Sequence, residues 1–221
     1  MIERILNLIA PHYCIVCGSE GAVVCEWCMP DFVAPLPSRC YICKVATKDF
    51  RVCRKCRTRS ALNHVWVSTI YEGQAKELVQ DFKFKRKKAA SEFIARKMTE
   101  TLPYFDTNTV LTHVPTATDR VRQRGYDHAE LIACNLARLL CLRYEALLFR
   151  VTKTRQVGAS RKERYKQMEN AFAPRKKIAK GGARILLVDD LVTTGATLES
   201  AARCLQNHGA NEVSAVVFAQ R

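Results

Sequence analysis

Residues 184–198, R-I-L-L-V-D-D-L-V-T-T-G-A-T-L, constrain the fold more than any other part of the chain. Residues 185–188 are four consecutive apolar side chains. Bounded by turn signals, such a run reads as a strand buried on both faces of a parallel sheet. Two adjacent carboxylates, Asp189 and Asp190, stand where that strand is expected to end. Thr193, Thr194, Gly195, Ala196 and Thr197 then make a hydroxyl- and glycine-rich loop, and Leu198, Ala201, Ala202 and Leu205 recur at helical spacing. In open α/β sheets, ligands bind at the carboxyl ends of the strands. A loop that opens a helix offers backbone N–H groups and the positive end of the helix dipole to a phosphate. The acid pair repels a phosphate but suits hydroxyls or a magnesium ion. The stretch therefore asks for a ligand with a phosphate and a diol, such as a sugar phosphate.

Strand and helix patterns alternate around this unit. Residues 65–71 are β-branched and aromatic and read as a strand. Ala75, Leu78, Val79 and Phe82 share one helix face, and Ala90, Phe93, Ile94 and Met98 a second. Residues 109–114 form the next strand, residues 128–142 a helix, residues 146–149 a short strand, and E-V-S-A-V-V-F-A a last strand. This order argues an α/β fold built on a doubly wound parallel sheet. Right-handed crossovers would bring residues 115–125, 151–164 and 189–197 to one rim. Arg120, Arg122 and Arg124 read as one loop on that rim, where planar guanidinium groups can take phosphate oxygens in pairs. Residues 151–170 are poor in apolar side chains and rich in cations, an excursion able to close over substrate as a lid. There is no G-x-x-x-x-G-K-[ST] and no G-x-G-x-x-G, which disfavours an NTPase or a dinucleotide enzyme.

A formal charge of +15 favours polyanionic ligands or partners. Lys83, Lys85, Arg86 and Lys87 cluster around Phe84, the composition of a single-strand binding patch, with Phe84 itself expected to tuck into the core. No apolar run approaches the ~20 residues needed to span a bilayer. Ile2, Ile5, Leu6 and Ile9 have helical spacing rather than the form of a signal peptide, so a cytoplasmic protein is expected.

Eight of the eleven cysteines fall in four C-x-x-C pairs: Cys14/Cys17, Cys25/Cys28, Cys40/Cys43 and Cys53/Cys56. Each pair points two thiolates at one metal, and two pairs complete a tetrahedral site, so four imply two structural zinc ions. Sequential pairing uses the shortest loops; interleaved pairing stays open. Cys134, Cys141 and Cys204 are expected as core residues of helices. Residues 1–60 are thus expected to form an N-terminal helix and a small zinc-ribbon domain, and residues 61–221 the α/β domain.

V-D-D-L-V-T-T-G-A-T-L resembles the phosphoribosyl-pyrophosphate (PRPP) motif of type I phosphoribosyltransferases. The resemblance implies that Asp189 and Asp190 hold the ribose 2′- and 3′-hydroxyls and that Thr193 to Thr197 hold the 5′-phosphate. It also implies that magnesium accompanies PRPP, with Arg120, Arg122 and Arg124 meeting the pyrophosphate. The four cysteine pairs, K-F-K-R-K at residues 83–87, V-P-T-A-T-D-R-V-R-Q-R-G-Y-D-H, and Gln156 through Arg164 to Asn170-Ala171-Phe172 resemble, over essentially the whole chain, the ComF family of competence proteins (ComFC and GntX-like). Asp127 and His128 replace that family's usual Asn-Gln, and Gln167 its usual Asn. An added carboxylate weakens a phosphate site unless it caps the helix. The resemblance implies a role in DNA uptake and natural transformation, with single-stranded DNA, a competence helicase or other uptake proteins as partners. A nucleotide-salvage phosphoribosyltransferase with a structural zinc module, and a nucleic-acid-binding adaptor without turnover, are the alternatives.

Overall fold

A computed structural model describes residues 12–151, 171–176 and 183–221. The expected N-terminal helix, the body of the 151–170 excursion and Gln167 lie outside the described residues. In chain order the elements are β1 (Val65–Ile70), α1 (Gly73–Phe84), α2 (Ala90–Thr99), β2 (Thr109–His113), α3 (Thr118–Arg124) and α4 (His128–Leu140). They continue with β3 (Arg143–Tyr144), β4 (Leu148–Arg150), β5 (Phe172–Pro174), β6 (Arg184–Val192), α5 (Ala196–Asn207) and β7 (Glu212–Gln220).

Five strands form one parallel sheet in the order β1-β7-β6-β2-β3. The chain moves one way across the sheet from β1 to β2 to β3 and back from β6 to β7. Right-handed crossovers in opposite directions put helices on opposite faces. Accordingly α2 and α4 pack on each other and over one face, while α5 covers β6 and β7. The sheet is doubly wound, as the alternation of patterns argued. Ile185, Leu186, Leu187 and Val188 are all buried, as are Val213 and residues 215–219 of β7. Truncating a side chain such as Leu187 to alanine would cost about 2–5 kcal/mol.

Three local expectations fail. The strand expected at residues 146–149 is β4, shifted to Leu148–Arg150 and paired antiparallel with β5 outside the main sheet, whose edge is instead the two-residue β3. Arg120, Arg122 and Arg124 lie on helix α3 rather than in a loop, and Gly125, at φ 84°, ends that helix in the left-handed region. Cys141 is an exposed left-handed cap of α4 at φ 54°, not a core residue. No helix among the described residues is long and apolar enough to cross a membrane.

The cysteine-rich segment packs onto this body, and its Val23, Val24, Phe32 and Leu36 belong to the same apolar core as the sheet. Phe32 meets Phe93 of α2 edge-on, with ring centroids 4.8 Å apart. Along the edge strand β1, the Leu36 N–H donates to the Ser68 carbonyl at 3.2 Å, and the Thr69 hydroxyl donates to the Ala34 carbonyl at 2.9 Å.

Candidate functional site

β6 is longer on one side than the other. Its pairing with β2 ends at His113↔Val188, whereas its pairing with β7 runs on to Val192↔Gln220. Val114 makes a last bond to the Val188 carbonyl at 2.9 Å, and Pro115, which has no N–H, then turns the chain away. The strand therefore does not end at the acid pair, as expected from sequence, but carries it past the departure of β2. The result is a crevice between β6 and β2, where the strand order reverses, which is the usual ligand position in an open α/β sheet.

The two carboxylates at this crevice are not equivalent. Asp190 is 2% exposed and forms an ion pair with Lys83 of α1. Its Oδ1 also accepts from His128 Nε2 at 2.9 Å. Arg124 Nη1 donates to His128 Nδ1 at 3.0 Å, which leaves the imidazole proton on Nε2, facing Asp190. Burial alone would raise Asp190, but the Lys83 ammonium, with help from His128, outweighs it and holds the carboxyl below the usual carboxylate range. Asp189 is half-buried, and its Oδ1 accepts the Asp190 N–H at 2.9 Å. Burial first, then the neighbouring Asp190 charge, push Asp189 above the usual range, against the pull of Lys83. Donor atoms of His128, Asp189 and Asp190 lie within 4.8 Å of one another. Lys83 and the imidazole already compensate Asp190, so this is not a dedicated cage for a hard cation, which takes oxygen ligands.

Beyond Val192 the chain turns through Thr193, Thr194 and Gly195 and enters α5 at Ala196. Thr193, Thr194 and Thr197 are exposed, Ala196 is half-buried and Gly195 is buried. Gly195, at φ 79°, is the N-cap and supplies no side-chain cap; the Thr194 hydroxyl accepts weakly from the Ala196 N–H at 3.4 Å. The first turn of α5 thus keeps donors for an anion. Leu198, Ala201, Ala202 and Leu205 are buried on the inner face, as their spacing predicted.

Asp127 caps α4, accepting from the N–H groups of Ala129 at 3.0 Å and Glu130 at 3.5 Å. It also takes the Thr116 N–H at 2.8 Å and hydroxyl at 2.9 Å. The condition under which this carboxylate is harmless is therefore met.

The cationic candidates divide. Arg120 and Arg122 are exposed on α3, while Arg124 is buried against His128 and lies 5.3 Å from the Phe84 ring centroid. Lys83 points inward to Asp190. Lys85 and Lys87 both pair with Asp81 at 2.7 Å, and Arg86 reaches the Gln123 carbonyl at 3.4 Å. Phe84 is 71% exposed, contrary to the expectation that it would tuck into the core. Sequence reasoning missed the roles of Lys83 and His128 at Asp190, and it missed Arg150. That guanidinium is pushed down by burial first and then by Arg120, against the pull of Asp189 and Asp127, and lies 5.4 Å from the Phe172 ring centroid.

The cysteine pairs assemble sequentially, Cys14/Cys17/Cys25/Cys28 in one cluster and Cys40/Cys43/Cys53/Cys56 in the other, with the donor atoms of each within 4.8 Å. Cys17 and Cys25 sulfurs are 3.6 Å apart, and those of Cys43 and Cys53 are 3.5 Å apart. A zinc–sulfur distance of ~2.3 Å gives a tetrahedral edge of about 3.8 Å, so both sets fit zinc. Burial works against the thiolates of Cys14 and Cys40, but knuckle N–H groups, from Cys17 and Cys25 or from Cys43 and Cys53, bring them down to about 6 and about 7.

Residues 129–221 match the phosphoribosyl transferase domain. Over 220 residues the chain is 26% identical to competence protein ComFC of Bacillus subtilis, covering 89% of each. It is 25% identical to the DNA utilization protein YhgH of Escherichia coli, over 79% of this chain and 86% of that one. The adenine phosphoribosyltransferase of Thermoanaerobacter pseudethanolicus superposes with a TM-score of 0.41 and 12% identity, covering 87% of this chain and 98% of that one.

Proposed function

We propose that this chain, a homologue of competence and DNA utilization proteins with a phosphoribosyl transferase domain, binds PRPP or a related phosphorylated pentose and handles incoming single-stranded DNA during uptake. The observation that carries the reading is the extension of β6 past β2, which opens a crevice at Asp189 a few residues before the uncapped N-terminus of α5. In this reading Asp189 takes the ribose hydroxyls, and residues 193–197 take the 5′-phosphate. Asp190, held by Lys83 and His128, shapes the crevice rather than meeting the sugar freely. In the same reading Arg120 and Arg122, exposed on α3, take the pyrophosphate, and Arg150, which feels the charges of Arg120 and Asp189, supports them. Magnesium would enter as the pyrophosphate's counter-ion, with Asp189 as its protein ligand. His128 is engaged at both ring nitrogens and is not free to act as a base for an acceptor.

The exposed Phe84, with the Arg124 guanidinium beside it and Lys85 and Arg86 next in the chain, supports single-strand binding by stacking and phosphate contact. A cytoplasmic setting, with a competence helicase or another uptake protein as partner, is what this role implies.

Calorimetry with PRPP and magnesium tests the sugar-phosphate site. Wild type should bind, and Asp189→Ala should lose at least ~100-fold, about 2.7 kcal/mol. Wild-type indifference to PRPP would remove the pocket from the account and leave a nucleic-acid adaptor. For the strand, Phe84→Ala should weaken binding of an oligothymidylate by about 1–3 kcal/mol while leaving PRPP affinity intact, as read by fluorescence anisotropy.

A further inference from the structure

The second four-cysteine cluster is fastened to both ends of the Thr193–Thr197 turn, and the first is not. Tyr41 follows the metal-ligand candidate Cys40 and is 2% exposed. Its ring lies against Gly195 so closely that a Cβ at that position would collide with it. Its hydroxyl donates to Glu199 on the first turn of α5. The other Glu199 oxygen accepts the Ala61 N–H at 2.9 Å, just beyond the Cys53/Cys56 knuckle. At the other end of the turn, Gln220 of β7 is the sheet partner of Val192. Gln220 Nε2 donates to the Tyr41 carbonyl at 3.0 Å, and its Oε1 accepts from Arg39 at 3.1 Å. The residues on either side of Cys40 are therefore tied to β7 beside the end of β6, the strand that runs into the turn, and Tyr41 is also tied to the helix that follows it.

Gly195 thus has two jobs. It supplies the left-handed backbone that opens α5, and it leaves room for the Tyr41 ring. Tyr41 has little independent freedom. The backbone around it is a tight knuckle, closed by the Lys44 N–H to the Cys40 carbonyl and the Cys40 N–H to the Val45 carbonyl, both 2.8 Å. Without a metal the four sulfurs lose the ion that would draw them together, so this knuckle is free to open, and the ring would move with it. The first cluster is bound differently: its segment reaches the body through Phe32 on Phe93, on α2.

We propose that Tyr41 is a positioning residue through which a metal ion at Cys40, Cys43, Cys53 and Cys56 holds residues 193–199 in their anion-binding form. The two sites are then energetically linked, and the linkage is reciprocal: a ligand on the turn must tighten metal binding at the second cluster by the factor by which that metal tightens the ligand. The proposal draws its consequence for ligand binding from the sugar-phosphate reading, but its structural half stands without it.

The test uses the 221-residue, zinc-loaded chain and amide hydrogen exchange. Cys43→Ser and Tyr41→Ala should each speed exchange at residues 195–199 at least tenfold, leaving β2 protected. Cys17→Ser, which removes a ligand from the first cluster, should leave residues 195–199 at the wild-type rate. Tyr41→Phe keeps the ring under Gly195 and should restore most of the protection, which a general loss of folding would not allow. Native exchange at residues 195–199 in both Tyr41→Ala and Cys43→Ser would overturn the proposal, as would equal loosening by Cys17→Ser. PRPP with magnesium supplies a separate arm. If wild type binds it, Tyr41→Ala should bind at least tenfold more weakly, and wild-type affinity in that variant would overturn the linkage. If wild type does not bind it, the sugar-phosphate reading falls, and the exchange data alone decide the role of Tyr41.

Discussion

Two helices begin at the same rim of the sheet, and they begin differently. α4 is closed: Asp127 takes up its first N–H groups and at the same time holds Thr116. α5 is open: Gly195 stands where Asp127 stands in α4 and carries no side chain to spend on the donors. Both helices point their positive ends at the crevice, so the dipole alone does not choose between them. The choice lies in the cap. A carboxylate at one helix start and a glycine at the other leave one set of first-turn donors open on a rim that could have had two, and that open start follows the acid pair in the chain.

The comparison breaks most completely if the open end is closed. Gly195→Asp would give α5 the cap that α4 has, placing a negative charge and a side chain against Tyr41. PRPP affinity is expected to fall more than ~100-fold by calorimetry, about 2.7 kcal/mol. Gly195→Ala run beside it separates bulk from charge. Opening the closed end should cost stability instead. Asp127→Ala removes the α4 cap and the anchor of Thr116, and should lower unfolding free energy in a urea titration by about 1–2 kcal/mol. Sharpening is left to Thr194→Ala, which frees the Ala196 N–H from a long internal bond. Its stability should shift by less than about 0.5 kcal/mol, with PRPP affinity changed only a fewfold.

How much of this was legible in advance follows the range of each interaction. The β6–α5 unit and the two cysteine clusters were readable because a buried strand, an amphipathic face and a C-x-x-C knuckle are local patterns. What the acid pair touches was not. Lys83 and His128 reach Asp190 from two other elements, and nothing in their local sequence marks them. Lys83 sat in a basic run that read as surface. The helix at Arg120 to Arg124 had a signal that was passed over, since Gly125 is a helix stop and Thr118-Asp119 a helix start. Phe84 had one as well. It lies two positions after the buried Phe82, roughly the opposite side of a helix, so both could not face the core. Tyr41 against Gly195 joins the two ends of the chain and could only come from the fold.

The cover that residues 34–36 lay along β1 has a bearing on how this protein behaves when its metals are taken away. Beneath that cover is the outer edge of a ribbon, Val-Trp-Val-Ser-Thr-Ile, whose other edge is paired with β7, and its outward main-chain groups could recruit the same ribbon from another molecule. A chelated sample would then be lost to clumping before it is lost to unravelling. The damage would grow with protein concentration, and the cysteine-rich segment would have served as a sheath as much as a scaffold.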